Sequence, residues 1–298
     1  MLEAAKRLLL TPSGGRFSVI ILLINPPPEF ACSFIRSLAS SGLDLTFHDI
    51  PPSEPRLVQG PPDITSFYAD SRAAVPAAIS DLLSSVPVAE LVFDFFAALL
   101  ALFLHLPALD EKFPGVDFEE MVQDVVVPGV FPIPPQCMLT PLMDKKGRGY
   151  SCIIDNARRY HEARGILVNT VEELELAPLA AIRAGLCLPG GAVTQPVHPV
   201  GPIIAGCDEE AGEKSVRGLD VRLAREAAVG VGITEGGAGA PGGGGFVSHC
   251  GWNSCVESMW YGVMVLPWPH CAEQHMNTFV LMNELGVAMA MRVERGDI

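Results

Sequence analysis

Short apolar runs without polar alternation recur along the sequence, and they restrict the possible folds more than any other feature. Residues 17–24 form one such run, which is rich in β-branched side chains and is followed by three prolines. A strand that is apolar on both sides has to be covered on both faces, as in a parallel sheet flanked by helices. Similar runs occur at 90–96 and 165–169, a further strand is predicted at 43–48, and helical patterns such as 30–41 lie between these segments. The alternation predicts an α/β fold with doubly wound sheets.

Charge and cysteine usage limit the partners and the compartment. The 34 acidic residues outnumber the 20 basic ones, which gives a net charge of -14. Because this charge repels a phosphate backbone, we expect no nucleic-acid partner. The eight cysteines are scattered, and no apolar leader with a small-residue cleavage site precedes them. This pattern predicts a cytoplasmic protein with free thiols, which we expect to be a monomer.

One apolar segment, residues 91–109, is 19 residues long and approaches the length that crosses a bilayer. Asp94, His105 and Pro107 interrupt it and leave ten consecutive apolar residues. That length is typical of a buried strand or a core helix. We therefore expect no stable membrane insertion.

The pattern at 246–262 predicts a strand, a turn and a helix. Residues 246–248 are strand-like, residues 255–261 have helical spacing, and Gly262 ends the helix. A helix N-terminus offers unpaired backbone N–H groups and a partial positive charge, so it can bind a diphosphate without a lysine. The pattern therefore predicts a phosphate-binding site at the turn between the strand and the helix.

Several side chains around this turn suit a sugar nucleotide. Gly251 permits a close approach to the backbone, while His249, Asn253 and Ser254 supply hydrogen-bond donors. Glu257 lies one turn into the helix, where its carboxylate can accept bonds from a ribose diol. A purely structural interpretation also fits, because Ser254 and Glu257 have the spacing of a capping box.

A second predicted strand, residues 263–266, favours the ligand-binding interpretation. It leads to Glu273 and Gln274, which can bond the hydroxyls of a hexose. In parallel sheets, ligands bind outside the carboxyl ends of the strands. The two predicted strands place both groups of residues at that edge.

A zinc-binding module is the alternative from another class. Cys250, Cys255, His270, Cys271 and His275 supply thiol and imidazole ligands within a short stretch. The stretch lacks the closely spaced cysteine pairs of common structural zinc sites. We therefore expect no metal in the site.

The segment GFVSHCGWNSCVESMWYGVMVLPWPHCAEQHMN resembles the plant secondary-product box of the family 1 UDP-glycosyltransferases. The resemblance implies two Rossmann-like domains of the GT-B type and a UDP-sugar as co-substrate, with no separate cofactor. On it, His249, Gly251, Trp252, Asn253 and Ser254 match the diphosphate-binding turn. Glu257 matches a ribose contact, whereas Glu273 and Gln274 match sugar contacts. Gln at the last position implies UDP-glucose as the donor.

The motifs LVFDFF, FLHLP, VPGVFPIP, YHEARGILVNTVEELE and HPVGPII are similar to the acceptor-binding half of phenolic and flavonoid glucosyltransferases. The resemblance implies transfer of glucose, with inversion, to a hydroxyl of a small lipophilic phenol. Asp94 matches the aspartate that orients the family's catalytic histidine, which removes the proton of the acceptor hydroxyl. The resemblance also implies an acceptor-binding domain at 1–205, a Gly-rich linker or deletion scar at 206–245 and a partial donor-binding domain at 246–298.

The sequence departs from the family pattern in four places. We expect the first strand and its histidine to be missing before the helix at 1–10, so that Asp94 lacks its partner. Only eight residues separate Asp94 from Phe103, where the family has a helix and a strand. Residues 205–244 lack the family's uracil-stacking tryptophan, and the family's last helices would follow Ile298. We predict an impaired enzyme, or alternatively an inactive protein that only binds ligand.

Overall fold

The computed structural model describes residues 6–7, 9–10, 18–24, 42–50, 91–94, 96–192, 195–204 and 245–289. Contacts divide the chain into two compact units, residues 1–89 and 90–298. The predicted helix at 30–41 and residues 206–244 of the predicted linker 206–245 lie outside the described residues. The last residue of that predicted linker, Gly245, is instead the first residue of a strand.

The first unit contains a pair of parallel strands, β1 (Val19–Ile24) and β2 (Leu45–Ile50). Their register runs from Val19 beside Leu45 to Ile24 beside Ile50. The parallel pairing confirms the predicted type of sheet. The expectation that the first strand is buried on both faces is wrong, because Ile20 is 42% exposed. One face of β1 is therefore open to solvent at this residue.

The second unit contains a parallel sheet with the order β3-β4-β5, formed by Leu91–Asp94, Gly165–Val168 and Val197–Pro199. The connection from β3 to β4 includes α1 (Ala97–Lys112) and α2 (Arg148–Ala157). Helix α3 (Leu176–Arg183) connects β4 to β5. These crossovers match the predicted βαβ arrangement.

A second parallel pair in this unit carries the motif of the turn. Strands β6 (Gly245–Ser248) and β7 (Met264–Pro267) are joined through α4 (Trp252–Trp260). Helix α5 (Gln274–Phe279) follows and continues into a π-helix at Val280–Glu284. The described segments 96–192, 195–204 and 245–289 belong to one compact unit. The division at residues 89 and 90 differs from the predicted domain limits, and the assignment of acceptor and donor domains stays a prediction.

Helix α1 is the centre of the core. Its residues from Ala97 to Leu102 are all buried, with exposures of 2% or less, and Leu104, Leu106 and Leu109 continue the buried surface. A helix that is apolar on nearly every side has to lie inside the protein. In the apolar segment 91–109, residues 97–109 thus belong to a core helix, which is one of the two structures expected from the sequence, and residues 91–94 form β3. No helix in the described part of the chain is long and apolar enough to span a membrane.

Candidate functional site

Helix α4 begins at Trp252, three residues earlier than its apolar spacing indicates, with Gly251 as its N-cap. Its first internal hydrogen bond joins the Cys255 N–H to the Gly251 carbonyl at 3.1 Å. No side chain caps this end. Ser254 lies within the first turn, so the capping-box interpretation is wrong. The N–H groups of that turn are therefore positioned to receive an anion.

The far end of α4 behaves as predicted. Gly262 has a φ of +64°, and the Val263 N–H donates to the Ser258 carbonyl at 2.9 Å. These features define a Schellman motif, for which glycine is the preferred residue because it has no Cβ to clash. The motif turns the chain directly into β7.

Gly251 provides space for His249. Its φ is −61°, which any residue can adopt, but a Cβ built on it would lie 2.5 Å from His249 Nε2. The imidazole therefore lies against the N-cap, where it is exposed to solvent. The left-handed conformation in this turn belongs instead to Cys250, with a φ of +63°.

The Trp252 side chain makes protein contacts. It is 2% exposed, its ring stacks on Phe96 with a centroid distance of 4.4 Å, and Nε1 donates to the Asn169 carbonyl at 2.8 Å. The hydrogen bond joins the start of α4 to the end of β4, and the ring stack joins it to the residue before α1. Only the backbone N–H of Trp252 is left for the predicted diphosphate contact.

Asn169 is a site residue that sequence reasoning missed. Its Oδ1 accepts a hydrogen bond from the Ile203 N–H at 2.7 Å, and its Nδ2 lies 3.5 Å from Oδ1 of the exposed Asn253. The available signal was its position directly after a buried parallel strand, where polar side chains collect near ligands. Asn169 thus helps to orient the predicted donor-binding amide.

The remaining predicted donor contacts surround the start of α4 and α5. Ser254 and Glu257 are half-buried in α4, and the half-buried Glu273 is the N-cap of α5. The Oε1 atom of Gln274 accepts hydrogen bonds from the His270 and Cys271 N–H groups at 2.8 and 3.0 Å. Its oxygen therefore stabilises the loop before α5, which leaves the amide nitrogen for a sugar hydroxyl.

Asp94 is the last residue of β3 and pairs in register with Val168. It lies at the same carboxyl edge of the sheet as Asn169, and the structure describes only its backbone. Only Phe95 and Phe96 separate it from α1. Phe103 lies inside α1, so the described residues 96–102 contain no separate helix and strand of the kind that the family pattern has before it.

Glu175 occupies the N-terminus of α1. It is 4% exposed, and its two carboxylate oxygens each accept one hydrogen bond at 2.8 Å, from the Ala97 and Ala98 N–H groups. Burial raises the pKa of Glu175 to about 7. Helix α3 begins at Leu176, and Glu175 is its N-cap. No local pattern relates Glu175 to a helix that begins 78 residues earlier.

The zinc-binding alternative receives no support from the geometry. All five of its residues are described, and the described residues contain no group of three or more side chains that could hold a metal ion.

Comparison with known proteins gives the following similarities. No protein-family model matches the chain. It is 33% identical to the malvidin galactosylase UGT88C3 of Oryza sativa subsp. japonica, over 99% of this chain and 82% of the relative. It is 29% identical to the UDP-glycosyltransferase 71K1 of Malus domestica, over 98% of this chain and 82% of that relative. The alignment to the rice protein covers 399 residues although this chain has 298, so it contains long gaps.

A solved structure shares the fold. Phytolacca americana UGT2, complexed with UDP-2-fluoro-glucose and pterostilbene, superposes with a TM-score of 0.70 and 26% identity, over 97% of this chain and 81% of that one. This similarity confirms the predicted GT-B architecture.

Proposed function

The chain belongs to the plant UDP-glycosyltransferase family, and on this premise we propose that it binds UDP-glucose at the start of α4 and transfers the glucose to a small phenolic acceptor with inversion. The observation that carries the proposal is the uncapped N-terminus of α4, where Gly251 leaves space beside an exposed His249. A diphosphate supplies the charge that such an end attracts.

Each predicted contact has a role in this proposal. The N–H groups of Trp252, Asn253 and Ser254 hold the diphosphate together with the His249 imidazole. Glu257 binds the ribose hydroxyls, and Glu273 and the Gln274 amide nitrogen bind the hexose. The acceptor class is supported by the relatives, since the rice protein is named for malvidin and the Phytolacca enzyme contains pterostilbene. Both compounds are phenols.

The donor sugar is the finer part of the proposal. Gln274 favours glucose by resemblance, whereas the rice relative is named a galactosylase. By the resemblance, Asp94 would orient a base for the acceptor hydroxyl. A chain that binds the donor without turnover is the second candidate, favoured by the short connection from β3 to α1. We also propose a cytoplasmic monomer.

Titration calorimetry with UDP, UDP-glucose and UDP-galactose tests the proposal. We expect His249→Ala to weaken UDP binding by about ten- to a hundredfold, because one hydrogen bond to a charged group contributes about 1.5–3 kcal/mol. Glu273→Ala is expected to weaken UDP-glucose binding by a similar factor and to leave UDP binding unchanged. Turnover with phenolic acceptors then separates the enzyme from the binding protein.

His161→Ala is the control, because His161 is exposed on the short 3-10 helix Tyr160–Glu162 and is expected to have no effect. Absence of UDP binding by the unmodified chain would contradict the proposal. Equal loss of UDP and UDP-glucose affinity in Glu273→Ala would contradict the role of Glu273.

A separate prediction concerns Gly251. Gly251→Ala is expected to reduce UDP affinity at least about tenfold, because the new methyl group displaces the His249 ring by steric overlap. Gly245→Ala is a matched control, since its Cβ meets nothing closer than Leu266 at 3.6 Å. Calorimetry on both variants measures the difference. Equal affinities would show that the position of His249 does not matter for binding.

A further inference from the structure

Asn277 is a buried amide beside the turn 249–251, and the proposed donor contacts do not include it. It is the fourth residue of α5, it is 0% exposed, and its backbone N–H donates to the Glu273 carbonyl at 2.9 Å. Its side-chain Nδ2 donates to the Cys250 carbonyl at 2.7 Å. The helix that follows the predicted hexose contacts is therefore bonded directly to the turn that carries the predicted diphosphate contacts.

The backbone of Cys250 depends on outside support. Its φ of +63° lies in the left-handed region, which a residue with a Cβ rarely adopts. Its N–H donates to Ser248 Oγ at 3.0 Å, and its carbonyl accepts the bond from Asn277. The Ser248 carbonyl in turn accepts a hydrogen bond from the Trp268 N–H at 2.7 Å. The bond from Asn277 is the long-range contact to Cys250, because it comes from a residue 27 positions later.

The same bond sets the direction of a backbone donor. The Cys250 carbonyl and the Gly251 N–H belong to one peptide group, and in a trans peptide the two bonds point in opposite directions. Because the carbonyl is directed at the buried Asn277, the Gly251 N–H is directed away from it. Gly251 is the N-cap of α4, so its N–H lies outside the helical hydrogen-bond ladder. Reversal of this peptide would present a carbonyl oxygen, which repels an anion, in place of the N–H.

The other polar atom of the amide does not explain its presence. The Asn277 Oδ1 atom is buried and has no hydrogen-bond partner among the described residues. A buried acceptor without a partner destabilises the folded state, and an apolar side chain of similar size avoids this penalty. The amide therefore contributes at this position through its nitrogen, which holds the Cys250 carbonyl.

We propose that Asn277 is a positioning residue for the donor diphosphate, an inference that rests on the proposed function. Its amide nitrogen keeps the Cys250–Gly251 peptide oriented so that the Gly251 N–H faces the phosphate oxygens. Asn277 acts through the turn and not by contact with the ligand. Because it belongs to the same short helix as Gln274, it also fixes the diphosphate contacts relative to the hexose contacts.

Titration calorimetry with UDP on the full chain, combined with urea unfolding, tests this role. Asn277→Ala removes the whole amide, whereas Asn277→Leu keeps a side chain of similar volume without polar atoms. We expect both variants to bind UDP at least about tenfold more weakly than the wild type. Asn277→Leu is expected to be more stable than Asn277→Ala, because it fills the space of the amide and contains no unpartnered oxygen. Affinity and stability should therefore separate.

Ser258→Ala is the matched control. Ser258 is also 0% exposed, and its hydroxyl donates to the Val263 carbonyl at the far end of α4. We expect this variant to lose stability and to retain its affinity for UDP. Wild-type affinity in both Asn277 variants would overturn the proposal. Recovery of both stability and affinity in Asn277→Leu would also overturn it, because the role of Asn277 would then be one of packing.

Amide hydrogen exchange tests the turn without any ligand. The Cys250 N–H is hydrogen-bonded, and we expect it to exchange at least about tenfold faster in both Asn277 variants and at the wild-type rate in Ser258→Ala. Mass spectrometry of a peptide that contains Cys250 measures the rate. Unchanged exchange in the Asn277 variants would refute the positioning role. A wild-type chain that does not bind UDP would count against the proposed function, while the exchange rates still decide whether Asn277 holds the turn.

Discussion

Trp252→Ala is expected to lower the free energy of unfolding by about 3–5 kcal/mol, the range found when large buried aromatic residues are truncated. The substitution removes a side chain that is 2% exposed and its stacking contact with Phe96. It also leaves the Asn169 carbonyl without its hydrogen bond from the indole. Urea unfolding followed by far-ultraviolet circular dichroism measures the change.

Two further tryptophan variants separate the contributions at this position. Trp252→Phe keeps an aromatic ring and loses the hydrogen bond, so we expect a smaller decrease of about 1–3 kcal/mol. Trp268→Ala is the control, since Trp268 is 43% exposed and its truncation is expected to cost under about 1 kcal/mol. If Trp252→Ala and Trp268→Ala are equally stable, the contact between α4 and β4 does not contribute to folding.

The second large effect concerns Glu175 and depends on pH. The folded-state pKa of about 7 exceeds the ordinary value of 4.5, mainly because of burial. Between these values the folded chain holds a proton that the unfolded chain has released. The free energy of unfolding is therefore expected to fall as pH rises from about 4.5 to 7, by up to about 2–3 kcal/mol, and to be insensitive to Glu175 outside that window.

Glu175→Gln isolates this contribution, because the amide does not ionise. We expect the difference in unfolding free energy between wild type and Glu175→Gln to change with pH across the window, as measured by urea unfolding at several pH values. Glu173→Gln, an exposed carboxylate two residues earlier, is the control and should retain the wild-type profile. A wild-type profile parallel to that of Glu175→Gln would refute the assignment. Glu175→Ala removes both acceptors of the α1 terminus and is expected to destabilise the fold at every pH in the window.

Local patterns predicted the elements around the turn well. The strand before His249, the stop at Gly262 and the strand that follows are all present. Apolar spacing indicated a helix from residue 255, whereas α4 begins at Trp252. Polar residues such as Asn253 and Ser254 are compatible with a first turn, so the hydrophobic pattern underestimates the helix at that end.

Long-range contacts account for what sequence reasoning missed. Asn169 ends a predicted strand and Glu175 received no role from the sequence, yet both bond residues far away in the chain. Such partners depend on how β3, β4 and α4 pack together, and the hydrophobic periodicity of the sequence does not predict this packing. The burial of Trp252 also results from long-range contacts, with Phe96 and Asn169, whereas the motif alone suggested that Trp252 contacts a ligand.

The Trp252 bridge has a consequence for how a ligand enters. A rotation that separates the start of α4 from the carboxyl edge of the β3-β4-β5 sheet would have to break both the ring stack and the indole hydrogen bond. Because the protein's own side chains make these contacts, they hold the turn 249–251 close to that edge. In the proposed complex, the free energy of donor association is then not consumed in bringing these elements together, which is the thermodynamic advantage of a preorganised receptor.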